Sequence, residues 1–577
     1  MKKASKFLLA LFGLVLIVGL TACGNNDDTP ADTATPPVEE AIIPPAIDED
    51  TTIADLIAEF GLPAPRFEAD PSTPSWVLDS DRPLVELDWY VNFIWWPIHT
   101  SGDSWVTYEM MNDMNVRINW TSGNDEALNA MLAGGDLPDI ITFGGHLTAI
   151  SSDAPLWALP LDVLATVYDP YFLSIFPEQM QNWMRLPNGH FYGIMNEGMT
   201  SDEINAGLAL PGTGFLVRGD IYEAIGSPDM TTPEGFLQAL RDAREAFPTD
   251  DHGRPLVAFS PDTVDVAGPN NGALSGFLQD FLAIPTTNPD GTYYDRDSNP
   301  EYLEWLLTFR QAFEEGLMSP EFDILPNEDI NNLFQTGNFF AVMTGNTNDF
   351  SSRMNEIANS DTPEQQMIAI TGPRNAAGDP HTFAAGGING WTHTFITNST
   401  NDPQTAIQVL TYFWSDYGQM VQQFGREGVT YSYVDGVPTL LPEIQEFLST
   451  DYYGFRDEWG IRTFWQLRRP GFFAGQGVLP TGPHADVQLH NRQFNQARLN
   501  FVALDPTPAT DEMAHMQLGV INTARTQALV GVVTAATEQE ARDIWADFLA
   551  FRDNNGFSGI LEYRNNRLRI NNERLGL

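Results

Sequence analysis

A few side chains of this sequence have the types and spacing that metal binding or catalysis would use. Asp486 and His490 are four residues apart, with His484 just before them, so a helix here would place potential metal ligands on one face. The Gly-Asp-Ser run at 102–104 could begin a serine-hydrolase block, which would need a partner histidine. Asp486 with His490 matches that pair poorly, and Pro483 and the lack of further ligands speak against a metal. We therefore expect structural roles for these residues.

Several large enzyme classes are excluded because this chain lacks the residues that they require. The lysines are Lys2, Lys3 and Lys6, and the single cysteine is Cys23, which leaves no Schiff-base or P-loop lysine, no further thiol and no intrachain disulfide. Neither H-E-x-x-H nor G-x-S-x-G occurs. A glycosidase needs only two carboxylates about 5–9.5 Å apart, and 77 acidic residues leave that alternative open. The sequence predicts no catalytic residue, no cofactor and no bound metal.

The charge and size limit the partners and the architecture. With 29 basic and 77 acidic residues the formal net charge is −48, and a negative field of this size repels nucleic-acid phosphates. We therefore expect no nucleic-acid partner. Hydrophobic residues at 42% and aromatic residues at 11% are typical of a globular protein. The length of 577 residues exceeds the roughly 250–300 residues of one core, which predicts at least two lobes.

Aromatic and polar residues that could bind a solute follow two predicted strands. Trp95 and Trp96 come after the first strand, and Gly144, Gly145 and His146 end the third. The carboxyl ends of parallel strands are where ligands of such sheets bind. Aromatic faces pack on the apolar face of a sugar ring, and His, Asn or acidic groups pair with its hydroxyls. Core packing of the tryptophans and an ordinary loop role for His146 are the alternatives.

The strands and helices that would position these residues follow an alternating order. Leu84–Asn92 alternates apolar and polar residues with a period of two, which predicts a strand. A helix over Val106–Met114, a strand over Val116–Trp120, a helix over Asp125–Ala133 and a strand over Asp139–Phe143 are expected next. This β-α-β-α-β order predicts an α/β fold with a mostly parallel sheet and helices on both faces.

Later helices carry their own start signals. Thr232 precedes Pro233 and an acidic residue, and Asp402 precedes Pro403, so each pair combines an N-cap with a proline in the first turn. Gly425 is the expected end of the second helix.

The N-terminus predicts export and lipidation. Three lysines precede an apolar run from Phe7 to Leu20, whose 14 residues are too few for the ~20 of a membrane-spanning helix, so it is interpreted as a signal peptide. The run ends in Leu-Thr-Ala-Cys-Gly at 20–24, which resembles the lipobox of bacterial lipoproteins. That resemblance implies that Cys23 carries a lipid and becomes the new N-terminus. The acidic, proline-containing stretch after it is expected to be a tether, with one short helix over Ile53–Phe60.

Segments along the rest of the chain resemble the family 1 extracellular solute-binding proteins, which are lipoprotein receptors of ABC importers and distantly similar to maltose-binding protein. The matching segments, in the order expected for that family, are Ala130–Ile141, Leu186–Ile194, Phe215–Asp220, Glu301–Phe322, Asn401–Ala406 and Phe424–Gly436. Met195 stands where the family usually has proline. The resemblance implies a two-lobed, periplasmic-binding-protein-like (class II) α/β fold with hinge segments and a central ligand cleft.

The resemblance also implies a division into lobes. Chain crossings are expected near Ile194–Phe215 and Thr382–Trp391, with a third between Arg426 and Gly475. The expected parts are residues 1–22 as signal peptide, 23–81 as tether, 82–205 plus about 390–430 as the first lobe, and about 206–389 plus about 431–577 as the second lobe.

The lobe division selects further candidate ligand-binding residues. Glu197 lies in the first crossing and Trp391 in the second, so both are expected near the floor of the cleft, with hinge packing as the alternative. Asn271 precedes a helix and Asn346 follows a strand of the second lobe. Trp465 also reaches the cleft if the third crossing permits it. Pro248–Pro255 stands where some relatives carry a calcium loop, but most of its ligand oxygens are missing, so no calcium is expected.

These observations lead to one hypothesis. The chain is expected to be a non-enzymatic, monomeric receptor that is lipid-anchored on the extracellular face of a bacterial cell membrane. It is expected to bind a carbohydrate and to deliver it to the permease subunits of an ABC importer. The size and aromatic content of the chain favour an oligosaccharide as the ligand. A secreted glycosidase-like enzyme and a receptor for a non-sugar solute such as a peptide are the alternatives.

Overall fold

Two larger β-sheets, each with its own core, organise the part of the chain that the structure describes. The structure is a computed structural model, and it describes residues 43–96, 103–249, 253–262, 272–323, 338–383, 387–479, 482–494 and 513–577. The strands are β1 (Val85–Val91), β2 (Val116–Ser122), β3 (Ile140–Gly144), β4 (Gly193–Met195), β5 (Gly214–Arg218), β6 (Val257–Pro261), β7 (Phe339–Thr344), β8 (Met367–Ile370), β9 (Thr392–Ile396), β10 (Tyr431–Val434) and β11 (Val437–Leu440).

Helices cover both sheets. In chain order they are α1 (Ile53–Phe60), α2 (Ser75–Leu78), α3 (Trp105–Met114), α4 (Asp125–Gly134), α5 (Thr148–Ser152), α6 (Ala154–Trp157), α7 (Leu161–Tyr168), α8 (Tyr171–Ile175), α9 (Glu178–Met184), α10 (Ser201–Asn205), α11 (Gly219–Ala224), α12 (Pro233–Ala246), α13 (Leu278–Phe281), α14 (Pro300–Glu314), α15 (Ser351–Ala358), α16 (Pro403–Trp414), α17 (Asp416–Phe424), α18 (Pro442–Thr450), α19 (Tyr452–Trp459), α20 (Pro470–Gly475), α21 (Pro483–Phe494), α22 (Met513–Thr534), α23 (Glu538–Asn554) and α24 (Phe557–Leu575). Among the described residues, none of these helices is both long and apolar enough to cross a membrane.

The first lobe is built on the sheet β2-β1-β3-β9-β4. Strands β1, β2 and β3 are parallel, and β9 runs antiparallel to β3 and β4. Within β1 the side chains of Leu87, Trp89 and Val91 enter the core, while Glu86 and Asp88 are exposed, which confirms the predicted alternation. The predicted strands and helices of this first β-α-β-α-β unit are all present, with bounds that differ by one or two residues.

The second lobe is built on the sheet β6-β7-β5-β8. Only the β6–β7 pair is parallel in this sheet, because β5 runs antiparallel to both of its neighbours. The expectation of a mostly parallel sheet therefore describes the first lobe better than the second. Helix α12 begins as predicted, with Thr232 Oγ1 accepting the Gly235 N–H at 3.2 Å.

The predicted helix between Asp402 and Gly425 is interrupted. Asp402 caps α16 as expected, since its Oδ1 accepts the Thr405 N–H at 2.9 Å. The chain then turns at Ser415, whose extended backbone (φ −64°, ψ 153°) and side-chain cap start α17. A Cβ at Gly418 would lie 1.8 Å from the Tyr412 carbonyl oxygen, so the two helices meet too closely for any larger residue. The apolar period alone does not reveal this break, because both helices are buried.

Within the described residues, the chain passes between the two larger sheets on either side of the second sheet's strands. Strand β4 belongs to the first sheet and β5 to the second, so the chain crosses between residues 195 and 214. It returns between β8 and β9, within residues 371–391.

The third crossing lies later than predicted. Residues 431–479 were assigned to the second lobe, but the core of the first lobe contains buried residues of this stretch, namely Tyr431, Leu440, Ile444, Phe455, Ile461, Phe464, Leu467 and Phe473. The next described helix, α21, packs on the second lobe through Val487. The crossing therefore falls between residues 473 and 487, and the predicted boundary near residue 431 is corrected.

The stretch before residue 82 is also corrected in part. Leu56 of the predicted helix α1 and Leu62 are buried in the core of the first lobe. Arg66 binds two carboxylates there, with Nη2 to Asp79 Oδ2 at 2.6 Å and Nη1 to Asp402 Oδ1 at 2.8 Å. Residues 52–81 thus belong to the lobe, because a few apolar residues and one arginine bind them to its core. The proline-rich composition of this stretch does not indicate these contacts. Residues 1–42, including Cys23, lie outside the described part.

The C-terminal helix α24 touches both lobes. Its Ile560 is buried in the core of the second lobe, and its Leu575 is buried in the core of the first. Gln179 Nε2 donates to the Leu575 carbonyl at 2.7 Å, and Gln179 Oε1 accepts the Ser201 N–H at 2.7 Å. One glutamine therefore connects α9, the first crossing segment and the end of the chain.

A buried carboxyl group in the first lobe predicts an unusual pH dependence of stability. Burial raises the pKa of Asp169 from 3.8 to about 6, although hydrogen bonds with Thr411 and Ser75 oppose the shift. Because the folded-state pKa is the higher one, the protonated form favours folding, and this contribution is full below about pH 4 and lost as the pH rises through 6. We expect Asp169→Asn to raise the free energy of unfolding at pH 7.5 by about 1–3 kcal/mol and to leave it nearly unchanged at pH 4.

Urea unfolding of both proteins between pH 4 and 7.5 measures this difference. Asp136→Asn, which changes an exposed carboxylate, is the matched control. A difference between Asp169→Asn and the parent that stays constant with pH would contradict the assignment.

Candidate functional site

A cavity opens at the carboxyl ends of β1, β2 and β3, where the sequence predicts a ligand. Its volume is about 370 Å³, which lies in the range of small-molecule sites. Aromatic, amide and carboxylate side chains share its surface. The lining residues are Asn92, Phe93, Ile94, Trp95, Gly123, Asn124, Asp125, Glu126, Gly144 and His146. This composition suits a neutral ligand that carries both hydroxyl groups and an apolar face.

The polar groups on one side of the cavity are fixed by hydrogen bonds among themselves. Asn92 Nδ2 donates to Asp125 Oδ1 at 2.6 Å, and Tyr90 Oη lies 2.9 Å from Asn92 Oδ1. Burial and the nearby Asp125 raise the pKa of Tyr90 to about 12, so its hydroxyl stays protonated and acts as a donor. Asn124 Oδ1 accepts the Ala127 N–H at 3.1 Å and thereby caps α4. The wall therefore has a set geometry before any ligand arrives.

The two glycines that end β3 position their neighbours. A Cβ at Gly144 would lie 2.5 Å from the ring of His146, so the ring occupies the space that a side chain would need. Gly145 donates its N–H to the Trp391 carbonyl at 2.8 Å. His146 itself is exposed and lines the cavity.

Trp95, which lines this cavity, packs with two further tryptophan rings, and we call the three the tryptophan cluster: Trp95, Trp391 and Trp465. Trp95 is stacked with Trp465 (centroids 5.5 Å apart, planes at 24°) and lies nearly parallel to Trp391 (6.1 Å, 8°). Trp391 and Trp465 are 4.6 Å apart. Trp95 is 59% exposed and Trp391 43% exposed, which is unusual for residues that normally bury most of their surface. Trp95 and Trp391 therefore present aromatic surface to solvent, while Trp465 is partly buried beside them.

Phe93 supports the cluster from one side. Its ring centroid lies 5.2 to 5.5 Å from each of the three tryptophans. The four rings come from three separate parts of the sequence, which the fold of the first lobe brings together.

Asn196 holds two members of the cluster in place. It is fully buried, and its Nδ2 donates to the Trp465 carbonyl at 2.8 Å. Its Oδ1 accepts the Thr392 N–H at 2.7 Å, and its backbone carbonyl accepts the Trp391 N–H at 3.2 Å. Gly390 fits against this residue with φ +63°, where a Cβ would lie 1.9 Å from the Asn196 carbonyl oxygen. Through its side chain and its backbone carbonyl, this one residue thus connects the first crossing segment to the backbones of both tryptophans.

Glu197 and Arg468 form an ion pair next to the cluster. Glu197 Oε1 accepts from Arg468 Nη1 at 3.2 Å, and the Glu197 N–H donates to the Arg468 carbonyl at 2.9 Å. Burial raises the pKa of the Glu197 carboxyl, while the Arg468 charge lowers it. Glu197 has a left-handed backbone (φ +53°), which is uncommon for a residue with a side chain. The pair offers both donors and acceptors at the edge of the aromatic surface.

The structure brings several predicted site residues together. Trp95 and His146 share the cavity, and Trp95 stacks with Trp391. Trp96, by contrast, is only 2% exposed and packs against Trp120, so it belongs to the core and is not retained as a ligand contact. A tryptophan pair in a loop cannot turn both rings the same way, which explains the split.

The remaining predicted residues lie elsewhere. Asn346 is exposed in the second lobe just after β7, where its Oδ1 lies 3.8 Å from the position of a Cβ on Gly212. Asn271 lies outside the described residues. Phe93 and Asn196 are two residues near the cluster that were not chosen from the sequence. Phe93 packs against Trp95, and Asn196 directly precedes Glu197 in the chain.

The residues with possible catalytic spacing have structural roles. Ser104 caps α3, where its Oγ lies 3.1 Å from Thr107 Oγ1, and it is buried. His484 Nε2 lies 3.2 Å from Thr347 Oγ1, at the contact between α21 and the second lobe. Within the described part of the chain, no group of three or more His, Cys, Asp or Glu side chains is arranged to hold a metal ion.

Asp295 and Asp297 lie in one loop of the second lobe, and arginines bind both carboxylates. Asp295 pairs with Arg552 at 2.5 Å, and Asp297 pairs with Arg525 at 2.6 Å. These pairs attach the loop to the C-terminal helices α22 and α23, so two of its carboxylates act in packing.

Comparison with known proteins finds a lipoprotein of similar sequence. No protein-family model matches the sequence. Lipoprotein LipO of Bacillus subtilis (strain 168) is 22% identical over 474 residues, which cover 76% of this chain and 84% of LipO.

Solved structures share the fold over most of this chain. The alginate-binding protein AlgQ2 without calcium ion aligns with a TM-score of 0.55 and 16% identity, covering 84% of this chain and 98% of AlgQ2. The HMO-binding, ABC-transporter associated solute-binding protein of Bifidobacterium longum infantis aligns with a TM-score of 0.58 and 13% identity. The alignment covers 84% of this chain and 99% of that protein. The S. pneumoniae ABC-transporter substrate-binding protein FusA, an EF-hand mutant in complex with fructo-nystose, aligns with a TM-score of 0.55 and 16% identity. The alignment covers 84% of this chain and 99% of FusA. These likenesses confirm the predicted two-lobed α/β fold.

Proposed function

We propose that this chain, which has the two-lobed fold of the ABC-transporter solute-binding proteins, is an extracellular receptor that binds an oligosaccharide and delivers it to an importer permease. The observation that carries the proposal is the exposed tryptophan cluster beside a cavity lined by amides and carboxylates. Indole faces pack on the C–H face of sugar rings, and the amide and carboxylate groups accept or donate hydrogen bonds to hydroxyls.

The site residues in this proposal are Trp95, Trp391 and Trp465 for stacking, and Asn92, Asp125 and His146 for hydroxyl groups. Glu197 and Arg468 are proposed to contact the ligand from the edge of the cluster. Asn346 would approach from the second lobe after β7. The proposal assigns no covalent chemistry to any of them.

Closure of the lobes is proposed to report ligand binding to the permease. A ligand shifts an open and closed equilibrium only through its higher affinity for one state. Trp391 and Glu197 adjoin the two crossing segments, so a sugar on the cluster would contact the segments that move in a hinge motion.

The anchoring and assembly complete the proposal. Cys23 would carry the lipid that holds the receptor on the outer face of the cell membrane, with the acidic residues after it as a tether. The lipobox-like residues 20–24 and the likeness to a lipoprotein support this location. The receptor is proposed to act as a monomer.

A thermal-shift screen of the protein without residues 1–23 tests the function. The panel contains mono- and oligosaccharides, peptides and amino acids. A ligand at 100 times its Kd adds about 2.7 kcal/mol of stability, which raises the Tm measurably. We expect hits among oligosaccharides, and recovery of each compound unchanged by chromatography.

Two other outcomes would replace the proposal. Cleavage of the compound would establish a glycosidase, for which Asp125 and Glu126 in the cavity would be the first carboxylates to test. Hits confined to peptides would establish a peptide receptor and would remove the sugar-stacking role of the tryptophan cluster.

A further inference from the structure

A second aromatic pocket lies on the first lobe, separate from the cavity described above. Trp105, the first residue of α3, and Trp459, the last residue of α19, have ring centroids 5.9 Å apart and planes at 44°. With Tyr108, which is 48% exposed, they line a pocket of about 270 Å³. Asp103 and Glu458, both exposed, complete its rim together with Ser104. No basic side chain is present among the described residues that line it.

Two helix ends in direct contact hold this pocket together. Ser104 caps α3, and Gly460 ends α19 with φ +67°. A Cβ at Gly460 would lie 2.4 Å from Ser104 Oγ, so only glycine permits this approach. The contact fixes Trp459 beside Trp105, and the pocket therefore has a defined geometry.

The two segments that build this pocket also build the tryptophan cluster. Trp95 follows β1 and Trp105 begins α3, the next helix along the chain, while Trp459 ends α19 and Trp465 lies in the stretch between α19 and α20. Between the two sites, Trp96 Nε1 donates to the Thr463 carbonyl at 3.3 Å. Because α3 begins at the carboxyl edge of the sheet, its first residue lies on the same edge as the cavity.

We propose that the pocket of Trp105, Tyr108 and Trp459 is a second carbohydrate subsite, which binds a distal ring of the same oligosaccharide whose proximal rings lie on the tryptophan cluster. This inference rests on the proposed function. The pocket has aromatic faces and two carboxylates, which are the same kinds of group that line the first site. The volume of about 270 Å³ is below the roughly 300–1,000 Å³ of a complete small-molecule site, so it accommodates part of a longer ligand. The carboxylates and the absence of a lining cation select a neutral ring.

Isothermal titration with ligands of increasing length tests the inference. The probes are malto-, xylo- and inulin-type fructo-oligosaccharides of two to six units, titrated into the mature-length protein and its variants. In the parent protein the affinity is expected to rise with chain length. Trp459→Ala is expected to lower the affinity for the longest bound member about threefold to tenfold and to leave the shortest bound member unchanged.

Further variants keep the test independent of folding defects. Trp459→Phe should restore most of the affinity for the long ligand. Glu458→Gln, at an exposed position, should lower the affinity for the long ligand only. Tyr453→Ala removes a more exposed aromatic ring from the same helix and should change the affinity for neither the long nor the short ligand. Equal losses at all lengths, or no loss with the longest ligand, would overturn the second subsite. If the parent protein binds no oligosaccharide, the proposed function fails; if Trp465→Ala removes binding while Trp459→Ala changes nothing, the second subsite alone fails.

Discussion

Replacing Trp465 by alanine is expected to weaken oligosaccharide binding by about tenfold to a hundredfold. Its ring lies within 5.5 Å of the centroids of Trp95, Trp391 and Phe93, so its loss removes one stacking face and leaves the other two tryptophans without their common neighbour. Burying an aromatic face against a ligand contributes about 1–3 kcal/mol, and each 1.4 kcal/mol corresponds to a factor of ten in Kd.

Titration calorimetry with the oligosaccharide found in the screen measures the change in Kd, and thermal unfolding shows whether the variant is folded. Tyr433→Ala is the matched control, because it removes an exposed ring from β10 of the same lobe, away from the cavity lining. Trp96→Ala is expected to behave differently from both: its ring is in the core, so the main effect is a loss of stability of about 3–5 kcal/mol. An unchanged Kd in folded Trp465→Ala would remove the cluster from the binding site.

Local patterns predicted the elements that position the site. The alternation in β1 and the N-caps Thr232 and Asp402 depend on short-range physical rules, and each of these elements is present. The carboxyl-end rule for parallel strands then placed Trp95 and His146 at one cavity. These inferences needed no knowledge of how distant segments pack.

Long-range packing accounts for the parts that the sequence did not reveal. Trp465 could be placed only once residues 431–479 were known to remain in the first lobe, and no local signal marks that crossing. Asn196 has an ordinary polar identity, and its importance comes from contacts 196 and 269 residues away in the sequence. Trp95 is exposed and Trp96 is buried because it is the Trp96 ring that packs against Trp120 and Phe464 in the core.

Replacing Asn196 by alanine is expected to damage both stability and binding. The change leaves the Thr392 N–H and the Trp465 carbonyl without the partners that now lie at 2.7 and 2.8 Å. A buried polar group without its hydrogen bond costs about 1–3 kcal/mol, so the free energy of unfolding should fall by about 2–6 kcal/mol for the two together. Because these bonds set the positions of β9 and of the Trp465 loop, the affinity for the oligosaccharide should fall by about tenfold or more.

Asn196→Asp distinguishes the effect of the hydrogen bond to the Trp465 carbonyl from that of the bond to the Thr392 N–H. The carboxylate can still accept the Thr392 N–H, but it cannot donate to the Trp465 carbonyl, so repulsion falls on the Trp465 side alone. Asn398→Ala is the matched control, since its exposed Nδ2 donates a single bond of 3.3 Å and its loss should change stability by less than about 1 kcal/mol. Denaturant unfolding gives the stability of each variant, and calorimetry well below the unfolding transition gives the Kd. If Asn196→Asp binds as tightly as the parent, the amide is a packing residue, and the Trp465 loop is held by its ring contacts instead.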